Sequence, residues 1–179
     1  MAAWPSADVV AALRALPRPH QPGVRWTTED QWHITLRFLG EVADADVPGL
    51  VDALAALEEA EPAEARLGPA SERLGREVLM VPVEGLDELA REVVRVTEGY
   101  GRAAPPRRPF RGHLTLARLR PARSPAARAQ PAPLAVDARW PVDEVALVRS
   151  TLTPQGARYA TVARVPLGRG GRGQASGEL

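Results

Sequence analysis

The chain of 179 residues has no cysteine, no lysine and no asparagine, a single isoleucine and only 4% aromatic residues. Without cysteine there is no disulfide scaffold, thiol nucleophile, iron–sulfur cluster or cysteine-rich structural zinc. No apolar run approaches the roughly 20 residues of a membrane span, and the N-terminus lacks the basic-then-apolar layout of a secretion signal. The expectation is a cytoplasmic monomer with no membrane partner. Its length suits one domain with a sizeable core, or two small lobes sharing a cleft.

All 23 basic residues are arginine, beside 31 alanines. GC-rich codon usage produces that pattern without any functional cause. The net charge of +1 nevertheless conceals a segregation: residues 41–64 hold eight acids and no base, and residues 102–128 hold eight arginines and no acid. The acidic run reads as a solvated helix face. The cationic run would attract phosphate if it flanked a site, although a solvated loop would look the same.

Apolar periodicity predicts a first helix capped by Asp8, carrying Val9, Val10, Leu13 and Leu16, and ended by Pro17 and Pro19. Strands are predicted over Val24–Trp26 and Trp32–Leu39. A second helix starts at Asp46, with Val47, Leu50, Val51, Leu54 and Leu57 on one stripe. Glu77–Val83 reads as a strand, and Leu86, Leu89, Ala90, Val93 and Val96 as a third helix stopped near Gly99–Gly101. A Pro/Arg loop, Ala103–Arg111, leads into a strand at His113–Leu119, and Pro121–Pro133 reads as an exposed low-complexity loop. Glu144–Leu152 and Ala157–Val165 flank Pro154-Gln155-Gly156 as a hairpin. Residues 168–179 read as a flexible Gly/Arg tail. The class is α+β with at least part of the sheet antiparallel.

Only three histidines occur, and two stand in one repeated pattern eighty residues apart: His33-Ile34-Thr35-Leu36 and His113-Leu114-Thr115-Leu116. With eight threonines and twenty leucines in the chain, two such hits have a chance of about one in ten thousand, before discounting for choosing the pattern after seeing it. In a strand, residues i and i+2 share a face. His33 and Thr35 therefore project together, with Ile34, Leu36 and Phe38 toward a core; His113 and Thr115 project likewise, with Leu114 and Leu116 behind them. Brought face to face, the strands place two imidazoles and two hydroxyls in one polar cleft. Two histidines without carboxylates at ligand spacing do not make a metal site, and nothing there suits a cofactor. Paired imidazoles suit phosphoester chemistry, one neutral and one protonated near neutral pH. A lone His-x-Thr would be an ordinary half-buried histidine; the pair reverses that reading. His20, without a partner motif, reads as an exposed loop residue.

The duplicated pattern resembles the signature of the 2H phosphoesterase superfamily. The contexts Arg25-Trp26 with Trp32-His33-Ile34-Thr35-Leu36-Arg37-Phe38-Leu39-Gly40, and Phe110-Arg111-Gly112-His113-Leu114-Thr115-Leu116-Ala117-Arg118, with the closing hairpin bearing Tyr159, resemble the RNA 2′,3′-cyclic phosphodiesterases, historically called 2′-5′ RNA ligases. The resemblance implies a single bilobal domain over 1–167: two antiparallel sheets with flanking helices, related by a pseudo-two-fold about a central cleft. It implies an enzyme that, without a metal, opens the cyclic phosphate of an RNA end or a small cyclic nucleotide to a 2′-phosphate. His33 would be the proton donor and His113 the proton acceptor. Thr35, Thr115 and Arg118 would bind substrate, although strict alternation puts Arg118 opposite His113 unless the strand bends. Two departures stand out. The strand expected before the first helix is missing or a stub, which would expose a sheet edge, and Gly112 stands where a proline commonly precedes the second histidine, loosening that strand's approach. A non-catalytic module that holds RNA phosphate ends is the competing class, weakened by the few aromatics; within the enzyme class, 2′-5′ RNA ligation, the reverse of a related ring opening, would use the same residues.

Overall fold

The computed structural model describes residues 1–103, 109–120, 132–154 and 156–169. The Pro/Arg stretch 104–108, most of the low-complexity loop (121–131), Gln155 and the tail from 170 lie outside the described residues. Tail residues 168 and 169 are held rather than loose: Gly168 N and Arg169 N donate to Ala60 O and Glu58 O at 2.9 and 2.8 Å.

The elements are β1 (Ala2–Ala3), α1 (Ala7–Arg14), β2 (Val24–Trp26), β3 (Ile34–Thr35), α2 (Val47–Leu54), β4 (Ala63–Leu67), β5 (Glu72–Leu74), β6 (Val78–Glu84), α3 (Asp87–Val96), β7 (His113–Leu119), β8 (Ala138–Val142), β9 (Glu144–Thr153) and β10 (Gly156–Pro166). The helix cap is Ser6, whose hydroxyl accepts from Val9 N, so Asp8 sits in the first turn, where a carboxylate favours the helix dipole, instead of capping it. α1 buries Val9 and Leu13, α2 buries Leu50 and Leu54, and α3 buries Leu89, Ala90 and Val93. These faces join Ile34, Leu114, Val81 and Trp140 in one apolar core. None of the described helices is long and apolar enough to cross a membrane.

All named ladders are antiparallel. The strands follow the path β10-β9-β1-β3-β7-β6-β4-β8, with β2 added to β7 and β5 to β6. Two separate sheets are expected from the family resemblance, yet the hydrogen-bonded path is continuous, narrowing to the two pairs Arg66↔Glu84 and Leu67↔Val83 between β4 and β6. The N-terminal strand is present as the two-residue β1 and lies inside the path, between β3 and β9, through Ala2↔Thr35, Ala3↔Ile34 and Ala2↔Ala146. β1 therefore has a paired strand on each side, although it covers β9 only at Ala146.

The first motif strand is much shorter than its alternation predicts. It ends at Thr35, because Leu36 N and Arg37 N both turn onto Met1 O. Arg37 then points into the body of the protein, its Nη1 donating to Val94 O and Thr97 Oγ1 at 2.8 and 2.7 Å near the end of α3. The turn throws Phe38 outward, 73% exposed, where strand alternation would have buried it. Ile34 and Leu36 are buried as expected.

Candidate active site

β3 and β7 are neighbours with Ile34 paired to Leu114. Continuing that antiparallel register sets His33 across from Thr115 and Thr35 across from His113. Both imidazoles are anchored alike: His33 Nδ1 donates to Gln31 O at 2.9 Å and His113 Nδ1 to Arg111 O at 2.8 Å. A carbonyl can only accept, so each Nδ1 carries its proton and each Nε2 is left for other chemistry, acceptor when the ring is neutral and donor when it is charged. The cleft, about 700 Å³, is lined by all five residues singled out in the sequence: His33, Thr35, His113, Thr115 and Arg118.

Arg118 reaches the cleft because β7 is bulged. The register against β6 pairs Leu79 with Ala117 but Met80 with Thr115, so Leu116 is an extra residue. Leu116 and Ala117 are consecutively buried. That breaks the alternation and brings Arg118 round to the face of His113 and Thr115. Thr27 holds the bulge. Its backbone N donates to Leu116 O at 2.8 Å, and its hydroxyl lies 2.8 Å from both Thr115 O and Leu116 O. The same hydroxyl accepts from Trp32 Nε1 at 3.1 Å.

Gly112 tightens the entry to β7 rather than loosening it. Its carbonyl accepts from Val83 N at 2.9 Å, and a Cβ there would stand 2.3 Å from Val83 O. Only glycine allows this approach of the two chains.

His33 is packed edge-on between Trp4 and Tyr159, with ring centroids 5.7 and 4.5 Å away. Burial holds its pKa below the ordinary histidine value; the Gln31 hydrogen bond works against that, and the positive N-terminus, His113 and Arg118 add to it. Met1 is part of this site. Its ammonium donates to Arg37 O at 2.6 Å, and burial, helped by the charge of Arg37, lowers its pKa from 8.0 to about 6.

Further residues line the cleft. Arg25 and Gln31 share the cleft with Arg149, which pairs with Asp44 at 3.0 Å. Phe38, Leu152 and Val162, three of the four exposed large apolar side chains among the described residues, also line it. Cross-strand position could have flagged Arg25, since it opposes Arg118; nothing local marks Leu152 or Val162. Trp32 is core, 1% exposed, and His20 is exposed as expected. The described residues hold no group of three histidine and carboxylate side chains able to hold a metal.

The profile of the 2′-5′ RNA ligase superfamily matches residues 2–153. An RNA 2′,3′-cyclic phosphodiesterase of Thermus thermophilus is 34% identical over 168 residues, covering 82% of this chain and 78% of that protein. One from Geobacillus stearothermophilus is also 34% identical, over 155 residues and 79% of this chain; here the chain spans about half (47%) of the relative's length. A crystal structure of a Thermus thermophilus protein superposes with a TM-score of 0.72 at 29% identity, covering 94% of this chain and 96% of that one. E. coli LigT complexed with 3′-AMP shares the fold, with a TM-score of 0.66 at 24% identity over 93% of this chain and 95% of that one. With both His-x-Thr motifs on neighbouring strands inside the matched span, the chain belongs to the 2′-5′ RNA ligase superfamily.

Proposed function

We propose that residues 1–167 form an RNA 2′,3′-cyclic phosphodiesterase that hydrolyses cyclic-phosphate ends to the 2′-phosphomonoester without a metal. The observation that carries this reading is the matched pair of imidazoles, His33 just before β3 and His113 at the start of β7, each fixed through Nδ1 with Nε2 free. Water attacks phosphorus while His113 Nε2 takes its proton. The bond from phosphorus to the 3′-oxygen breaks, and His33 Nε2 delivers the proton that the departing oxygen needs. Each transfer contributes roughly 10²–10⁴-fold in rate. Thr35 and Thr115 donate hydroxyl hydrogens to non-bridging oxygens, and Arg118 opposes the charge that builds on them. The exposed ring of Phe38 offers a surface to the nucleobase.

The lowered pKa of His33 fits a donor that charges when the substrate arrives. Burial favours its neutral form, and a phosphodiester anion restores the charged one.

The test offers 2′,3′-cyclic mononucleotides and cyclic-phosphate-ended oligonucleotides with excess EDTA and identifies the product. A 2′-phosphate is expected, with turnover lost in His33→Ala and in His113→Ala while both stay folded. A 3′-phosphate product would contradict the assigned roles, and tight, salt-sensitive RNA binding without turnover would favour the non-catalytic module.

A further inference from the structure

Arg25 and Arg118 stand directly opposite each other on β2 and β7. Both line the catalytic cleft, but Arg25 also lines a second pocket of about 270 Å³. The cavities share a wall made by Arg25, Gln31 and Ala157. Gln31 fixes that wall, its Nε2 donating to Ala157 O at 2.7 Å while its carbonyl holds His33. Gly156 lets the guanidinium lie between the cavities, since a Cβ there would stand 2.3 Å from Arg25 Nη1. Beyond the wall the second pocket is lined by Trp26, Asp30 and Arg158 among others, and by neither histidine.

We propose that the second pocket receives the penultimate nucleotide of an RNA strand whose cyclic-phosphate end lies in the cleft. Resting on the catalytic reading above, this narrows the substrate to a chain end in preference to a free cyclic mononucleotide. The phosphodiester joining the last two nucleotides leaves the 5′-oxygen of the terminal one, so it passes the shared wall. There Arg25 meets it from one side and Arg158, which lines the outer pocket alone, from the other. The Asp30 carboxylate accepts from a hydroxyl or amine of the penultimate nucleoside. The Trp26 ring packs against the core, its Nε1 donating to Pro19 O at 3.1 Å, and Phe38 is absent from this pocket, so charge and hydrogen bonding, in place of stacking, select the second nucleotide.

Arg158→Ala separates this subsite from the chemistry. Wild-type kcat/KM should be about tenfold higher for a dinucleotide ending in a 2′,3′-cyclic phosphate than for the mononucleotide, the effect of one charge-assisted contact. Arg158→Ala should remove most of that preference with mononucleotide turnover unchanged. It should also reduce the salt slope of dinucleotide binding by about 0.7. Equal kcat/KM for the two wild-type substrates, or equal losses on both in the variant, would overturn the subsite. If neither substrate turned over, the catalytic reading would fail. Calorimetry would then decide the subsite: a 2′-phosphate-ended dinucleotide should bind more tightly than the 2′-mononucleotide only when Arg158 is present, and equal affinity would overturn it.

Discussion

Replacing Thr27 by valine keeps the shape of a buried side chain and removes one hydroxyl. In the folded protein that hydroxyl accepts from Trp32 Nε1 and donates its single hydrogen to the carbonyls at the bulge, 2.8 Å from both Thr115 O and Leu116 O. Leu116 O keeps a second donor in Thr27 N. The buried indole N–H is then left unsatisfied, and Thr115 O loses its hydroxyl donor. At about 1–3 kcal/mol for the orphaned donor, about 0.5–1.5 kcal/mol for the lost bond to the carbonyl, and less than 1 kcal/mol recovered from the added methyl, the loss is about 1–4 kcal/mol. For a domain of this size that lowers Tm by on the order of 10 °C. Activity should suffer independently, because a β7 that slips back into regular register turns Arg118 away from His113. Thr27→Ser keeps the donor and acceptor and should retain both stability and kcat/KM. The assays are urea unfolding followed by tryptophan fluorescence, and hydrolysis of a cyclic mononucleotide under conditions where each variant is folded. A valine variant within about 0.5 kcal/mol of wild type, or one as active as the serine variant, would refute the role given to Thr27.

Phe38→Ala should raise KM for base-bearing substrates by about tenfold, the scale of one lost stacking contact, with kcat and inhibition by inorganic phosphate little changed; an unchanged KM would mean the ring is idle. Binding of a 2′-mononucleotide should take up a proton near neutral pH, because the anion recharges a histidine that burial holds neutral. Calorimetry in buffers of different ionisation enthalpy reads this directly, and buffer-independent enthalpies would exclude it. The N-terminal ammonium titrates near 8.0 unfolded and about 6 folded. Its unfolded form binds protons more readily, so stability present above pH 8 should fall by up to about 2–3 kcal/mol toward pH 6. Urea midpoints that stay flat between pH 8.5 and 6 would rule this out. Gly112→Ala should lower stability and turnover together, since the new methyl meets Val83 O; wild-type behaviour would show that β7 can shift freely.

The paired histidines are legible because a motif repeats where the structure around it need not. His33 and His113 share a short pattern, and that pattern survives although β3 is only two residues long. Periodicity fails just beyond it: Phe38 looks like the next core position, but the anchoring of Arg37 on the end of α3 depends on residues sixty positions away. Arg118 poses the opposite problem, where alternation argues against a site residue that a bulge delivers. Bulges are set by cross-strand partners, here β6 and Thr27, which local sequence does not reveal. β4 and β8 escape a sequence reading for different reasons: Ala63–Leu67 carries alanine and arginine, residues with little strand preference, whereas Ala138–Val142 is interrupted by Pro141, which argues against a strand. Their buried positions do alternate, through Ala65 and Leu67 and through Trp140 and Val142, but in β4 alanine gives that alternation almost no contrast.

The position of β1 has a consequence for how the protein is made. Ala2 is made before either motif, yet its sheet neighbour on one side is Ala146, beyond the second motif. On the other side it meets Thr35, within the first motif. The floor beneath His33 therefore cannot close until β9 has been synthesised. Pairings this distant in sequence make folding slow. They also mean that a nascent or prematurely ended chain already carries both histidines but lacks β9, the strand that completes the wall around the first of them.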